Sequence, residues 1–589
     1  MKFLLVGINA KYIHSNPAIY SLRAYAGAEY RDNIEIAEYT INNRREEILS
    51  DIYLRKPDVI GFSCYIWNFE MVKSLLPDLQ KVLPKVEIWL GGPEVSFDGV
   101  ELLQKYPMAS GIMTGEGEAT FKELLAYYVE RKSDKLLSEI KGLLLPSGHT
   151  GDRDSLSMDE LPFLYEDAKR EGLSEFRNKI IYYESSRGCP FRCSYCLSAI
   201  DKSVRTRSLD KVKRELKFFL DNKVPQVKFI DRTFNAVHEH AMSVWRYLIE
   251  NDNGVTNFHF EIAADIMTQE EIELLSVMRP GLVQLEIGVQ STNEPTLREI
   301  NRFVNTAHIA KVVKELRKKQ NIHIHLDLIA GLPYEDYATF IRSFNEVYAM
   351  GPEQLQLGFL KVLKGSPMEA GKEKYGLAYQ QEPPYEVLST KWLTYAEVLK
   401  LKRVEEMVET FYNSNQFCHT LPTIEAEFES AFSMFEALAD YYEEKSYFVK
   451  APARSSRYEI LLAFACEKNP EREALYRELL TFDYYLREKA KSRPLFAPDA
   501  EAYRDAVWDF YCKEEAEPAY LPAYREYHAR QIMKMTHMEA FHYPVWEGKK
   551  HDRAEEWKRN EKPCFVLFDY QVRNPLTQDA RYEVVSTVR

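Results

Sequence analysis

The chain has 589 residues, of which 45% are hydrophobic and 28% charged, ordinary globular proportions with apolar material for several cores. No stretch approaches the 18 or so apolar residues of a membrane span. The net charge of −13 argues against a general nucleic-acid surface and leaves room only for a local basic cleft. The opening Met1-Lys2-Phe3-Leu4-Leu5-Val6-Gly7 has too short an apolar run for a signal peptide and reads as a first buried strand. Eight cysteines in this length, with no secretory signal, disfavour disulfides and fit a soluble cytoplasmic protein with free thiols.

Residues 1 to about 135 alternate strands and helices. Buried strands are predicted at Phe3–Val6, Ile34–Ala37, Val59–Phe62, Val86–Leu90 and Gly111–Met113, with amphipathic helices such as Asn68–Leu83 and Ala119–Val129. Five such units predict an α/β domain built on a doubly wound parallel sheet, whose ligands sit beyond the carboxyl ends of the strands. The loops at those ends are Asn9–His14, Ser63–Tyr65, Gly91–Glu94 and Gly115–Glu118, and their glycines let backbone approach a large flat or nucleotide-like ligand. There is no Walker-type loop, and Gly115-Glu116-Gly117 lacks the third glycine of a dinucleotide fingerprint. From the residues alone, ligand binding and a purely structural role stand level here. Residues 136–177 turn irregular around Pro146-Ser147-Gly148 and read as a linker.

Residues 178–385 repeat strand then helix. Strands are predicted at Ile180–Glu184, Gln226–Ile230, Phe258–Ile262, Leu282–Ile287, Ile322–Ile329 and Gln354–Phe359. Parallel strands with helical crossovers close toward a barrel whose active site lies at the strands' carboxyl ends. Directly after the first strand comes Cys189-Pro190-Phe191-Arg192-Cys193-Ser194-Tyr195-Cys196, three soft thiolates packed into one short loop. A closed zinc site would need a fourth ligand, and no histidine lies between His149 and His238. Three thiolates suit an iron–sulfur cluster with one iron left open. His323 and His325 alternate with apolar residues and face the same way; a metal reading needs further ligands, and a packed or substrate-facing pair is preferred.

After Pro383-Pro384 the pattern becomes long and helical, at Thr390–Phe411, Thr423–Glu443 and Arg457–Lys468, and predicts a mostly helical domain over 386–589 that caps the barrel and shapes access. Cys418, Cys466, Cys512 and Cys564 show no paired spacing, which argues against an auxiliary cluster.

The cysteine motif resembles the radical S-adenosylmethionine (radical SAM) signature, down to Tyr195 before the third cysteine. A doubly wound domain ahead of such a barrel is similar to the cobalamin-binding radical SAM subclass, here in a group with its own C-terminal helical domain. The resemblance implies a partial (β/α)6 barrel and a [4Fe–4S] cluster on Cys189, Cys193 and Cys196, with S-adenosylmethionine chelated at the open iron. Asp231, in a D-x-T-F turn, together with Glu261, Glu286 and Gln290 would contact S-adenosylmethionine. Ser63 and the pair Gly91, Gly92 match the S-x-L and G-G elements of cobalamin domains, although Tyr65 replaces the leucine. The D-x-H-x-x-G loop is absent, its place reading Tyr12-Ile13-His14-Ser15-Asn16-Pro17, so His14 is not expected to bind cobalt.

The implied activity is methyl transfer to an unactivated carbon through a 5′-deoxyadenosyl radical and methylcobalamin. It would act on a small-molecule or peptide substrate, with an electron donor such as flavodoxin or ferredoxin and with neither membrane nor nucleic acid as partner. The alternatives are a related oxidoreductase or cyclase without methyl transfer and, in another class, a cobalamin- or redox-sensing protein. A methylthiotransferase would need three cysteines in the first domain, which holds only Cys64.

Overall fold

The computed structural model describes residues 1–130, 136–166, 173, 176, 178–201, 203–490, 492–547 and 557–585. Its first sheet comprises β1 (Phe3–Asn9), β2 (Ile34–Thr40), β3 (Val59–Ser63), β4 (Glu87–Gly91), β5 (Gly111–Met113), β6 (Leu143–Leu145) and β7 (Gly148–His149), ordered β2-β1-β3-β4-β5-β6-β7. The first five strands pair in parallel. Every residue of β1 is buried. Phe3 and Leu5 pack with helices Pro17–Ala26 and Gly117–Glu130, while Leu4, Val6 and Ile8 pack with helices Arg45–Arg55 and Phe69–Val82. Cover on both faces explains the unbroken apolar run. β6 and β7 form an antiparallel hairpin on the edge, so residues 143–149 belong to this sheet and not to a linker. Strands of three and two residues are too short to show a period in the sequence.

The second sheet follows. β8 (Ile181–Tyr183) precedes a small antiparallel pair, β9 (Ser186–Arg187) with β10 (Arg205–Thr206). Then come β11 (Gln226–Phe229), β12 (Asn257–Ile262), β13 (Val283–Gln290), β14 (His323–Ala330) and β15 (Gln354–Phe359). The six strands β8, β11, β12, β13, β14 and β15 are parallel and neighbours in sequence order, a half-barrel with two unpaired edges. Along β13 burial alternates: Val283, Leu285, Ile287 and Val289 pack under the outer helices, and Gln284, Glu286, Gly288 and Gln290 face the lumen. The edge strand β15 is protected by Asn413, whose side chain bonds both the N–H and the carbonyl of Leu355 at 2.9 Å.

Beyond the barrel, β16 (Ala378–Tyr379) pairs with β17 (Val387–Ser389), and the remaining chain is mostly helical. The stretch read as one helix at Thr423–Glu443 is two, Thr420–Glu425 and Ala431–Glu444, because Ser430 caps the second by accepting the N–H of Ser433. A three-stranded antiparallel sheet, β18 (Thr536–Phe541), β19 (Cys564–Arg573) and β20 (Ala580–Val585), is added to the expected helices. No helix among the described residues is long and apolar enough to cross a membrane.

Candidate functional site

At the carboxyl edge of the first sheet, Ser63 and Gly91 are register partners, so the two motifs 28 positions apart in sequence meet as neighbours. Ser63 is buried, with its hydroxyl 3.5 Å from Asn16 Oδ1. Gly92 has φ +113°, and a Cβ there would sit 2.5 Å from the Cys64 carbonyl oxygen, so this turn itself demands glycine before any ligand does. The loop after β3 is held by Asn68, which donates to the carbonyls of Ile8 and Ser63, and it presents a parallel stack of Tyr65 on Trp67 at 4.3 Å. The sequence showed only that Tyr65 replaces a leucine; the stack needs the turn that brings Trp67 back. His14 lies against the second domain, its Nδ1 2.5 Å from the Tyr182 hydroxyl, and burial together with Lys11 and Lys228 lowers its pKa.

In the barrel, Gly188 at φ +93° turns the chain into the cysteine loop, with the Ser203 carbonyl where a Cβ would stand. Cys189, Cys193 and Cys196 are free thiols, Cys193 buried and the others half-buried. Thr233 Oγ1 lies 3.6 Å from the Cys189 sulfur, and Arg302 donates to the Cys193 sulfur at 3.6 Å and to the Gly288 carbonyl. Burial opposes the Arg302 charge, but Tyr195 and Cys193 outweigh it and hold the guanidinium firmly protonated. Arg302 had no signal in the sequence, since it lies 106 positions beyond Cys196. Three thiolates beside a fixed cation, with no fourth protein ligand in the loop, form a donor set that fits a [4Fe–4S] cluster with an open iron.

Two of the residues expected to contact S-adenosylmethionine are engaged by protein groups. Asp231 is fully buried, and its carboxylate accepts from the Ser185 N–H (2.9 Å), the Ser185 hydroxyl (2.7 Å) and the Ser186 hydroxyl (2.5 Å). It braces the end of β8 and is not open to an amino group; burial, opposed by the serines, sets its pKa at about 6. His240 Nε2 completes this knot, 3.0 Å from the Ser185 hydroxyl. Glu286 lies four residues before the end of β13, about 13 Å down the lumen at 3.3 Å per residue. There Lys228 Nζ is 3.1 Å and His259 Nε2 2.9 Å from its carboxylate; burial alone would raise its pKa, yet these partners hold it at about 2. Glu261, one residue before the end of β12, is the register partner of Glu286 and lies at the same depth, and burial raises its pKa. Gln290 ends β13 at a register shift with φ +73°, a left-handed conformation for a non-glycine residue, and its buried Oε1 has no hydrogen-bond partner. Gln290 thus combines backbone strain with an unused acceptor at a strand end.

The two strand-end surfaces face one another. Arg187, two residues before Cys189, pairs with Glu118 at 2.6 Å, and Arg205 pairs with Glu116, so the Gly115–Glu118 loop docks onto the barrel. Lys364, beyond β15, pairs with Glu94 (3.0 Å) and Asp98 (2.7 Å). Between these straps lies a cavity of about 870 Å³, lined by Phe97, Val100, Thr114, Gly115 and Glu116 from the first domain and by Ile200 and Asp201 from the loop after the cysteines. Phe97, Val100 and Ile200 are exposed there amid a lining otherwise largely polar and charged, including Asp98, Glu116, Arg153 and Asp154. No described residue after Asp201 lines this cavity, and the described C-terminal region packs against β15 and the helix Tyr337–Ala349.

Comparisons with known proteins agree with this division. Residues 4–125 match the B12 binding domain, residues 183–347 the Radical SAM superfamily, and residues 373–568 the family described as "Protein of unknown function (DUF4080)". The chain is 24% identical over 344 residues to the cobalamin-dependent radical SAM methyltransferase TokK of Streptomyces tokunonensis, covering 55% of this chain and 50% of that protein. It is 22% identical over 400 residues to the 2-(S-pantetheinyl)-carbapenam-3-carboxylate methyltransferase of Streptantibioticus cattleyicolor, covering 64% and 56%. The chain thus spans about half the length of the curated relatives it matches. The solved structure of the cobalamin-dependent S-adenosylmethionine radical enzyme OxsB, with aqua-cobalamin and S-adenosylmethionine bound, shares the fold at 15% identity and a TM-score of 0.55, over 87% of this chain and 75% of that one.

Proposed function

We propose that this chain, which joins a B12 binding domain to a radical SAM half-barrel, is a cobalamin-dependent radical SAM methyltransferase acting on an unactivated carbon of a small-molecule or peptide substrate. The observation that carries the reading is the cavity between the two domains, lined by residues 96–101 and 114–116 of the first and by Ile200 and Asp201 after the cysteine loop, with the Arg187, Arg205 and Lys364 pairs joining the two domains beside it. When bound, the cluster with S-adenosylmethionine supplies a carbon radical, and cobalamin supplies a methyl carrier. Cys189, Cys193 and Cys196 hold the cluster, with Arg302 fixing the Cys193 sulfur and offsetting thiolate charge. Gln290 Oε1, at the strand end, would accept an N–H of S-adenosylmethionine. Ser63, Gly91 and the turn set by Gly92 would receive cobalamin at the sheet edge, with the exposed apolar side chains of Phe97, Val100 and Ile200 lining the cavity between the domains. Ion pairs across the domain boundary keep the reacting groups aligned, and alignment is what such catalysis requires. An electron donor such as flavodoxin or ferredoxin completes the system.

The test is incubation of reconstituted protein with S-adenosylmethionine and a reductant, followed by assay of both products. 5′-Deoxyadenosine together with S-adenosylhomocysteine is the expected outcome. Deoxyadenosine without S-adenosylhomocysteine would point to a redox or cyclising enzyme, and neither product would point to a sensor.

A further inference from the structure

The lumen below the mouth holds a group of side chains that the proposed reaction leaves unused. Strand register sets Glu261, Glu286 and His325 side by side in one layer, with Asp327 the next lumen-facing residue up β14 and His259 the next one down β12. His325 and His259 are only 6% and 7% exposed, and neither Nε2 makes a hydrogen bond; nor does Asp327 Oδ1. Yet His325 Nε2 lies 3.1 Å from Asp327 Oδ1, and His259 Nε2 lies 2.9 Å from Glu286 Oε2. Donor atoms turned away from hydrogen-bond geometry at such spacing suit one shared cation: ligands about 2.1 Å from a metal stand about 3.0–3.4 Å from one another in octahedral or tetrahedral geometry. Ligand atoms of Glu286, His325 and Asp327 all fall within 4.8 Å of each other.

We propose that Glu286, His325 and Asp327 form a three-residue binding site for one divalent first-row transition ion inside the barrel, separate from the cysteine loop, with water completing the coordination. Imidazole and carboxylate donors without thiolate select zinc, iron or manganese over softer ions. Three carboxylates, Glu261, Glu286 and Asp327, share this space with one ammonium, Lys228, so the lumen favours added positive charge. Lys228 Nζ lies 3.1 Å from Glu286 and 3.8 Å from Glu261, so it keeps Glu261 as partner when a metal takes Glu286. The way in is the open side of the half-barrel, where Gln356, register partner of Asp327, is exposed. Because its donors lie deep in the strands and not in the strand-end loops, the site stands whether or not the first domain carries cobalamin.

The test uses full-length protein carrying Cys189→Ser, Cys193→Ser and Cys196→Ser, which removes thiolate competition, titrated with Zn²⁺ alone and analysed for bound metal. One zinc per chain and a zinc-dependent rise in unfolding temperature are expected. Adding His325→Ala or Asp327→Asn should weaken zinc binding by at least about tenfold and abolish the temperature rise. Should either variant fail to fold, Glu286→Gln keeps the side-chain shape and gives the same readout. Manganese titrated into the unsubstituted chain should lose its free-ion EPR signal up to one equivalent. No zinc in the cysteine-free protein, unaltered binding in the His325, Asp327 and Glu286 variants, or an undiminished manganese signal would each overturn the site.

Discussion

The two parallel sheets share a strand–helix rhythm and differ in what covers them. β1 is buried along its whole length because helices lie on both faces, so its chemistry is confined to the loops beyond the strand ends. β13 alternates buried and half-buried residues because one face looks into a lumen, so polar groups occupy the strand itself. The first sheet can therefore receive a ligand only at its edge, while the second can hold ligands at several depths. Charge follows the same division. Glu286 in the lumen has Lys228 and His259 as partners and is held at about 2, whereas Glu335, packed behind the barrel with only Ser291 and Ser343 to donate, is pushed by burial to about 7.

The largest expected effect removes the group that only the second sheet carries. Cys189→Ala, Cys193→Ala or Cys196→Ala should abolish the brown chromophore and all cleavage of S-adenosylmethionine, while Cys418→Ala and Cys564→Ala should leave iron content unchanged; iron falling by half in a C-terminal variant would show a second cluster. Next come truncations along neighbouring strand positions. Leu4→Ala and Leu5→Ala in β1 should each cost about 2–5 kcal/mol, since both faces are packed. In β13, Leu285→Ala should cost as much, but Gln284→Ala less than about 1 kcal/mol. Denaturant unfolding of the four variants checks this, and equal costs for Leu285 and Gln284 would break the comparison.

The charge contrast has a pH signature. With its folded pKa raised from 4.5 to about 7, Glu335 contributes stability that is present in full below pH 4.5 and lost as pH rises through 7. Between pH 4.5 and 8 the native protein should therefore lose on the order of 2–3 kcal/mol relative to Glu335→Gln, read from unfolding midpoints of both across that range. The smallest effect belongs to the bridge from the first domain to the segment after the barrel. Lys73 pairs with the exposed Glu382 at 2.7 Å, and Glu382→Gln should change stability by less than about 0.5 kcal/mol, diminishing with salt. A cost several times larger would mean that exposed charges, and not the buried Arg187 and Lys364 pairs, hold the domains together.

Much of this molecule was legible because the deciding patterns are local. The spacing of Cys189, Cys193 and Cys196 lies in eight consecutive residues, and strands such as Phe3–Asn9 and Val59–Ser63 announce themselves by apolar runs between helical periods. Roles that depend on partners far along the chain were not legible. Asp231 looked like a ligand at a strand end, but whether its carboxylate faces a cofactor or Ser185 and Ser186 depends on how β8 and β11 pack. Arg302 reaches Cys193 across 109 positions, and the paired histidines of β14 gain Glu286 as a neighbour only through the register with β13. Periodicity and spacing alone determined the strand–helix order and the thiolate loop, since backbone geometry ties residues a few positions apart. Tertiary structure decided which polar groups meet, because burial and hydrogen-bond satisfaction are settled between elements whose separation in sequence carries no record of their contact.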